Sequence, residues 1–212
     1  MLKTHNILTL RKKLFMDTKD TNVELLKVAA MSLSMVGFQH ATMAQIAGSV
    51  GMSRVQLEKL YPTKVDLKHA IYELFKSVHL KSQPDVAKIL ANIKDKHPYE
   101  TLMSLNYDVP SEFDDFTVNT LIMAIQIFKN DKESLELVED FSIGYAAMGI
   151  KAVLDELIRL NRIEPMDTKV CAKIASYCLF SSTVLDKKMP GTKDESWNAN
   201  LKFLCQLIKV KD

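Results

Sequence analysis

The sequence predicts an all-α fold, with an N-terminal three-helix unit built on a helix-turn-helix and joined to a larger C-terminal helical domain. Three observations carry this reading. Residues 42–64, TMAQIAGSVGMSRVQLEKLYPTK, read as two short helices around a tight turn, each with its own start signal. Apolar residues recur at helical spacing in the segments on both sides. No alternating strand pattern of useful length occurs in the 212 residues.

Residues 1–20 form an N-terminal extension. Lys3 and Arg11-Lys12-Lys13 make it basic, while Ile7, Leu8, Leu10, Leu14 and Phe15 are apolar. It reads equally as an arm that follows a DNA groove and as a solvated or docked tail. It lacks the long apolar run and cleavage site of a secretory signal. The first helix covers 21–37. Thr21 and Glu24 make a capping box, Leu26, Ala29, Ala30, Leu33 and Val36 share one face, and Gly37 ends it. Thr42 caps the second helix, with Gln45 at the reciprocal position of another box. Ala47 lets a neighbouring helix approach, and Gly51 can take the left-handed conformation of a sharp turn. Ser53 caps the third helix. Tyr61-Pro62-Thr63 then breaks the chain, and Thr63 caps a fourth helix from Lys64, with Asp66 in its first turn.

Beyond that point helices are predicted near 64–81, 85–96, 98–107, 113–129, 132–161, 167–188 and 194–210, with the prolines at their ends rather than their interiors. The stretch 141–150, FSIGYAAMGI, carries no charge, so a helix there is buried on every face. Its small residues allow either tight helix packing or a cavity walled by Tyr145 and Met148. Phe113, Phe116, Met123, Ile127 and Phe128 are candidates for other walls. In the last helix Trp197, Leu201, Leu204 and Ile208 make one apolar stripe, and Val170, Ile174, Tyr177 and Leu185 suggest another face in the helix before it. Such stripes serve either as core or as the surface on which two copies pair.

Charge is uneven. Residues 1–80 hold 11 Lys/Arg against 6 Asp/Glu, a net of +5, and the remainder holds 17 against 20, a net of −3. A basic N-terminal third suits a phosphate surface. Cys171, Cys178 and Cys205 do not suggest a disulfide framework. The first two, on one helix, stand about 10 Å apart, and all three read as small buried residues in a reducing cytosol. The five histidines show no metal-ligand spacing, so no metal and no cofactor is expected. Paired acids at Asp114-Asp115 and Glu139-Asp140 have no base or nucleophile beside them, so no enzyme is expected. No apolar run reaches the roughly 18 residues of a membrane span, which fits a cytoplasmic protein.

Residues 22–75 resemble the tetracycline-repressor (TetR) family of transcriptional regulators. The matching residues are Gly37-Phe38, Thr42-Met43, Ile46-Ala47, Gly51-Met52-Ser53 and Leu57, with Tyr61-Pro62-Thr63-Lys64 similar to the family's aromatic-x-Ser-Lys signature. The chain departs from the family across the third helix: Gln56 stands for the usual Thr, Glu58 for a tyrosine that touches the DNA backbone, and Leu60 for the usual His. The resemblance implies a homodimer whose domain at 21–63 binds a double-stranded operator and whose domain at 64–212 binds a small apolar effector and dimerises. It implies DNA contacts by Thr42, Ser53, Arg54, Gln56, Lys59, Tyr61 and Lys64, with Arg54 and Gln56 reading bases. It implies an effector site at Phe116, Met123, Tyr145 and Met148, and a dimer interface at Trp197, Leu201, Leu204 and Ile208. The expected function is a ligand-responsive regulator, most simply a repressor. The alternative, raised by Glu58 and Leu60, is a protein of this fold with weakened operator binding that acts through a protein partner.

Overall fold

The structure, a computed structural model, describes residues 18–105, 110–185, 205–206 and 208–211. Helices α1 (Thr18–Val36), α2 (Met43–Ser49), α3 (Arg54–Leu60), α4 (Lys64–Lys81), α5 (Val86–Ala91), α6 (Pro98–Met103), α7 (Asp114–Ile127), α8 (Lys132–Glu136), α9 (Tyr145–Arg159) and α10 (Thr168–Leu185) follow in order. Among the described residues no strand forms, and none of the helices is long and apolar enough to cross a membrane. The chain divides into two compact units. One holds the described residues to Ser77 with Glu112–Met123; the other holds Val78–Ser111 with those from Ala124 onward. The division expected at residue 64 therefore falls inside the first unit. Leu67, Ile71, Tyr72 and Phe75 of α4 and Phe116, Leu121 and Met123 of α7 are buried and all belong to it.

In the first unit, α1 buries Leu25, Leu26, Ala29, Ala30 and Leu33. It is already helical at Thr18, so Thr21 lies inside the helix rather than at its start, and Glu24 pairs with Lys27 at 2.8 Å. Gly37 ends α1 at φ +88°. The α2–α3 hairpin is closed by hydrogen bonds near its turn. Gly51 stands at φ +72°, and the Met52 N–H donates back to the Ala47 carbonyl at 2.8 Å. This six-to-one bond needs a left-handed residue between its ends, a conformation glycine adopts without steric cost. Ile46, Ala47 and Leu57 fill the space between the two helices.

In the second unit, α9 packs chiefly on α10. Ile150, Val153, Leu154 and Leu157 of α9 join Ile93, Leu102, Leu105, Ala172 and Leu179 in one core. The helix expected at 132–161 is continuous but not uniform: Leu137–Gly144 winds as a π-helix. There the Ser142 hydroxyl donates to the Leu137 carbonyl, five residues back, at 2.7 Å. Asn161 ends α9 at φ +57°, which its short amide side chain tolerates better than most. The chain beyond it is extended: Ile163 bridges antiparallel to Val210, and the Glu164 N–H donates to the Lys209 carbonyl at 2.9 Å. The helix expected at 194–210 therefore does not include residues 208–210. Ile208 is buried in the core of its own unit, which removes it from the surface available to a second copy. Trp197, Leu201, Leu204 and the basic arm at residues 1–17 lie outside the described residues.

Candidate functional site

The hairpin is built from two capping boxes in series. At the start of α2 the Gln45 N–H donates to Thr42 Oγ1 at 3.3 Å, and the Thr42 N–H donates to Gln45 Oε1 at 2.9 Å. The start of α3 repeats the arrangement: the Gln56 N–H donates to Ser53 Oγ at 3.2 Å, and the Ser53 N–H donates to Gln56 Oε1 at 2.9 Å. Each box satisfies backbone donors that a helix start otherwise leaves to water. Thr42, Ser53 and Gln56 are therefore first of all structural. Gln56 in particular has its carbonyl oxygen engaged, whereas reading adenine in two-bond fashion needs that oxygen and the amide nitrogen together.

Tyr61 and Lys64 are also engaged. The Tyr61 hydroxyl donates to Asn22 Oδ1 at 2.7 Å, tying the end of α3 to α1. Burial pushes the Tyr61 phenol up and outweighs the opposing effect of the Asn22 bond, so the group stays a protonated donor. The Lys64 ammonium donates to the carbonyl of Phe38 and, at 2.8 Å, to that of Ala41, and it sits 4.8 Å from the centre of the Phe38 ring. Three carbonyls, with Gln39 at 3.4 Å, and one aromatic face leave this lysine no donor directed to a phosphate.

The outward face of α3 is what remains. Leu57 is fully buried. At about 100° per residue, Val55 and Lys59 both stand about 160° around the axis from it, while Glu58 stands about 100° and Arg54 about 60° from it on the Val55 side, so Arg54 reaches solvent through the length of its side chain. Val55, Lys59 and Arg54 are exposed. Arg54 Nε donates to Glu58 Oε1 at 2.6 Å, one helical turn along. This pair was not among the expected contacts, although its i, i+4 spacing is visible in the sequence.

An open cavity of about 290 Å³ lies in the second unit. Tyr145, Met148, Gly149 and Ala152 of α9, spaced i, i+3, i+4 and i+7, form one wall, and Gln83, Pro84, Val86, Leu105 and Leu179 contribute to the others. Tyr145 and Met148 thus line a cavity. Phe116 and Met123 do not: both are buried within the first unit, where Phe116 packs edge-on against Phe113, with ring centres 6.1 Å apart. Gly144 and Ala147 do not line it either; a Cβ on Gly144 would stand 3.2 Å from the Glu139 carbonyl of its own π turn. The Tyr145 ring lies 5.2 Å from that of Phe141, which meets the imidazole of His79, in the last turn of α4, edge-on at 6.5 Å.

On α10, Val170, Ile174 and Tyr177 are all exposed in the single chain, Ile174 by 57%. Cys178 beside them is exposed as well, contrary to the expectation of three buried cysteines; Cys205 is buried and Cys171 half-buried, and burial raises both thiols.

These features define an all-α, helix-turn-helix protein with a second helical unit that holds a cavity. The fold is that of TetR-family transcriptional regulators. It is similar to PfmR of Thermus thermophilus, with TM-score 0.62 and 14% identity over 86% of this chain and 96% of that one. It is similar to SmeT in its triclosan complex, with TM-score 0.58 and 18% identity over 89% and 90%. A third likeness is to a TetR family regulator from Pseudomonas syringae pv. tomato, with TM-score 0.51 and 12% identity over 90% and 96%. No protein-family model and no curated protein matches the sequence.

The Lys64 geometry makes a prediction about stability. Lys64→Met removes the ammonium and leaves two or three carbonyls without their donor, so the first unit should lose about 1–3 kcal/mol. Urea denaturation followed by circular dichroism should show a lowered midpoint. An unchanged midpoint would mean that water replaces the ammonium without loss.

Proposed function

We propose that this chain is a homodimeric regulator that binds an operator through α3 and is released from it by a small apolar molecule held in the second unit. The observation that carries this reading is the hairpin itself: two short capped helices, locked around Gly51, with Leu57 turned inward, Val55 and Lys59 turned outward and the Arg54 side chain exposed. The surrounding fold, shared with regulators of transcription, supports it. One recognition helix of seven residues contacts too little DNA for stable binding, and two copies on successive major grooves roughly 34 Å apart supply enough.

The exposed stripe of Val170, Ile174 and Tyr177 supports pairing of α10 with its symmetry mate. The cavity supports the effector half: among the described lining residues its side chains are apolar apart from the Tyr145 hydroxyl and the Gln83 amide. SmeT was solved with triclosan, and a neutral aromatic molecule of that kind is the ligand class this wall suits. The contacts from Tyr145 through Phe141 to His79 supply a route to α4, a single helix that runs back to Lys64. An effector needs to favour one α4 position over another by only about 1–3 kcal/mol to alter operator occupancy usefully.

Fluorescence anisotropy with an operator selected from a random duplex library tests the DNA reading. Lys59→Ala should weaken all sequences alike and flatten the dependence of log affinity on log salt by about one for each recognition helix; an unchanged slope would take Lys59 off the phosphates. Ile174→Asp should convert the dimer to a folded monomer, because the side chain is exposed before pairing and an unpartnered carboxylate is costly inside an apolar interface. Light scattering that still finds a dimer would place the interface elsewhere. For the cavity, Ala152→Phe should abolish uptake of the neutral fluorophore N-phenyl-1-naphthylamine and any response of operator binding to it, with operator affinity retained. Undiminished uptake would show that the effector enters somewhere else.

A further inference from the structure

We infer that Glu58 is a positioning residue that aims Arg54 at a guanine, and that Val55 beside it touches the methyl of a neighbouring thymine. This rests on the reading of α3 as the recognition helix, and it names the bases that helix reads.

The pair is asymmetric. The Arg54 side chain is 65% exposed and that of Glu58 only 32%, so the guanidinium is the more accessible member of the pair. The carboxylate, engaged with Nε, serves to hold the arginine. The bond of 2.6 Å uses Nε, which leaves the two terminal amino groups as a fork. Guanine presents two acceptors, O6 and N7, in the major groove, and this fork matches them. Pairing with Glu58 also cancels most of the charge that would draw Arg54 to the backbone, since the two groups are in contact and phosphate is farther off. What the guanidinium keeps is directional donation, which suits a base edge better than a phosphate.

The neighbours leave Arg54 as the principal base reader. Gln56 Oε1 and Ser53 are held in the capping box, and the Tyr61 hydroxyl is held by Asn22. Val55 is 62% exposed on the face opposite buried Leu57. An aliphatic side chain there has one partner in the major groove, the C5 methyl of thymine. Each half-site therefore contains a G·C pair and, within one or two base pairs of it, a thymine.

The test uses the full-length protein and duplexes selected from a random library. Wild type should select an invariant guanine, and replacing it with adenine should weaken binding about 10-fold, the effect of one two-bond contact. Glu58→Gln should bind random duplex more tightly, by about 3-fold or more, because the Arg54 charge is unmasked, while preference for guanine over adenine falls toward unity. Arg54→Lys keeps the charge and loses the fork, so it should keep the salt dependence and lose the preference. Deoxyuridine in place of the thymine should weaken wild type and leave Val55→Ala unaffected. The exposed pair adds little to stability, so thermal unfolding of the Glu58 and Arg54 variants should match wild type. Guanine preference undiminished in Glu58→Gln overturns the inference while the DNA-binding reading stands. Wild type that binds no duplex overturns both.

Discussion

The Lys64 ammonium is the contact on which the first unit depends. Its partners, the carbonyls of Phe38 and Ala41, lie 26 and 23 residues earlier in the chain. One cation thereby joins the exit of α1, the start of α2 and the first turn of α4. The carbonyls of a loop between helices have no helical partners, and here they are satisfied by a charged donor instead of water. Thr63 and Asp66 cap the same turn, with the Thr63 N–H donating to Asp66 Oδ2 at 2.9 Å. The hairpin is thus bonded to the start of α4 through the polypeptide and through the lysine, and a movement of α4 carries the hairpin with it.

That economy explains which parts of the site were legible in the sequence. The Thr42 box, the Gly51 turn and the Ser53 cap are local signals: donor and acceptor are within five residues, and spacing alone identifies them. The end of the first helix at Gly37 is legible for the same reason. Lys64 is different. Its partners are distant in sequence, and a lysine beside an aromatic-Pro-Thr break looks no different when it points at DNA and when it points at carbonyls. Gln56 is an intermediate case. Its spacing from Ser53 is the capping-box spacing already recognised at Thr42 and Gln45, and that local role outweighs a role in reading bases.

The second unit shows the limit of periodicity. Helical spacing identifies the apolar side of a segment but not the neighbour that covers it. Tyr145 and Met148 stand on a cavity wall because Gly149 and Ala152 continue their stripe with little side-chain volume. Phe116 and Met123 have an equally apolar pattern, yet they belong to the core of the other unit. Ile208 continues the spacing of Leu201 and Leu204, but at Ile208 the chain is no longer helical and the residue is buried in its own core. The π-helix at Leu137–Gly144 has no signature in the apolar pattern, since it changes the winding without changing which residues are apolar.

Of the two departures in α3 that argue against DNA binding, Glu58 reads differently given its contact with Arg54. A carboxylate on a recognition helix repels phosphate when it stands alone. Bound to Arg54 it is largely neutralised, and the helix keeps Lys59 as its unpaired exposed cation among the described residues. A surface with few free charges binds duplex DNA weakly without regard to sequence, because affinity of that kind scales with the number of phosphates neutralised. It must then obtain its affinity from contacts that fit one sequence, and discrimination between sites rises as the indiscriminate part falls. On the function proposed above, Glu58 does not mark a helix that has lost its target but one whose affinity would rest on the target's base edges more than on its backbone.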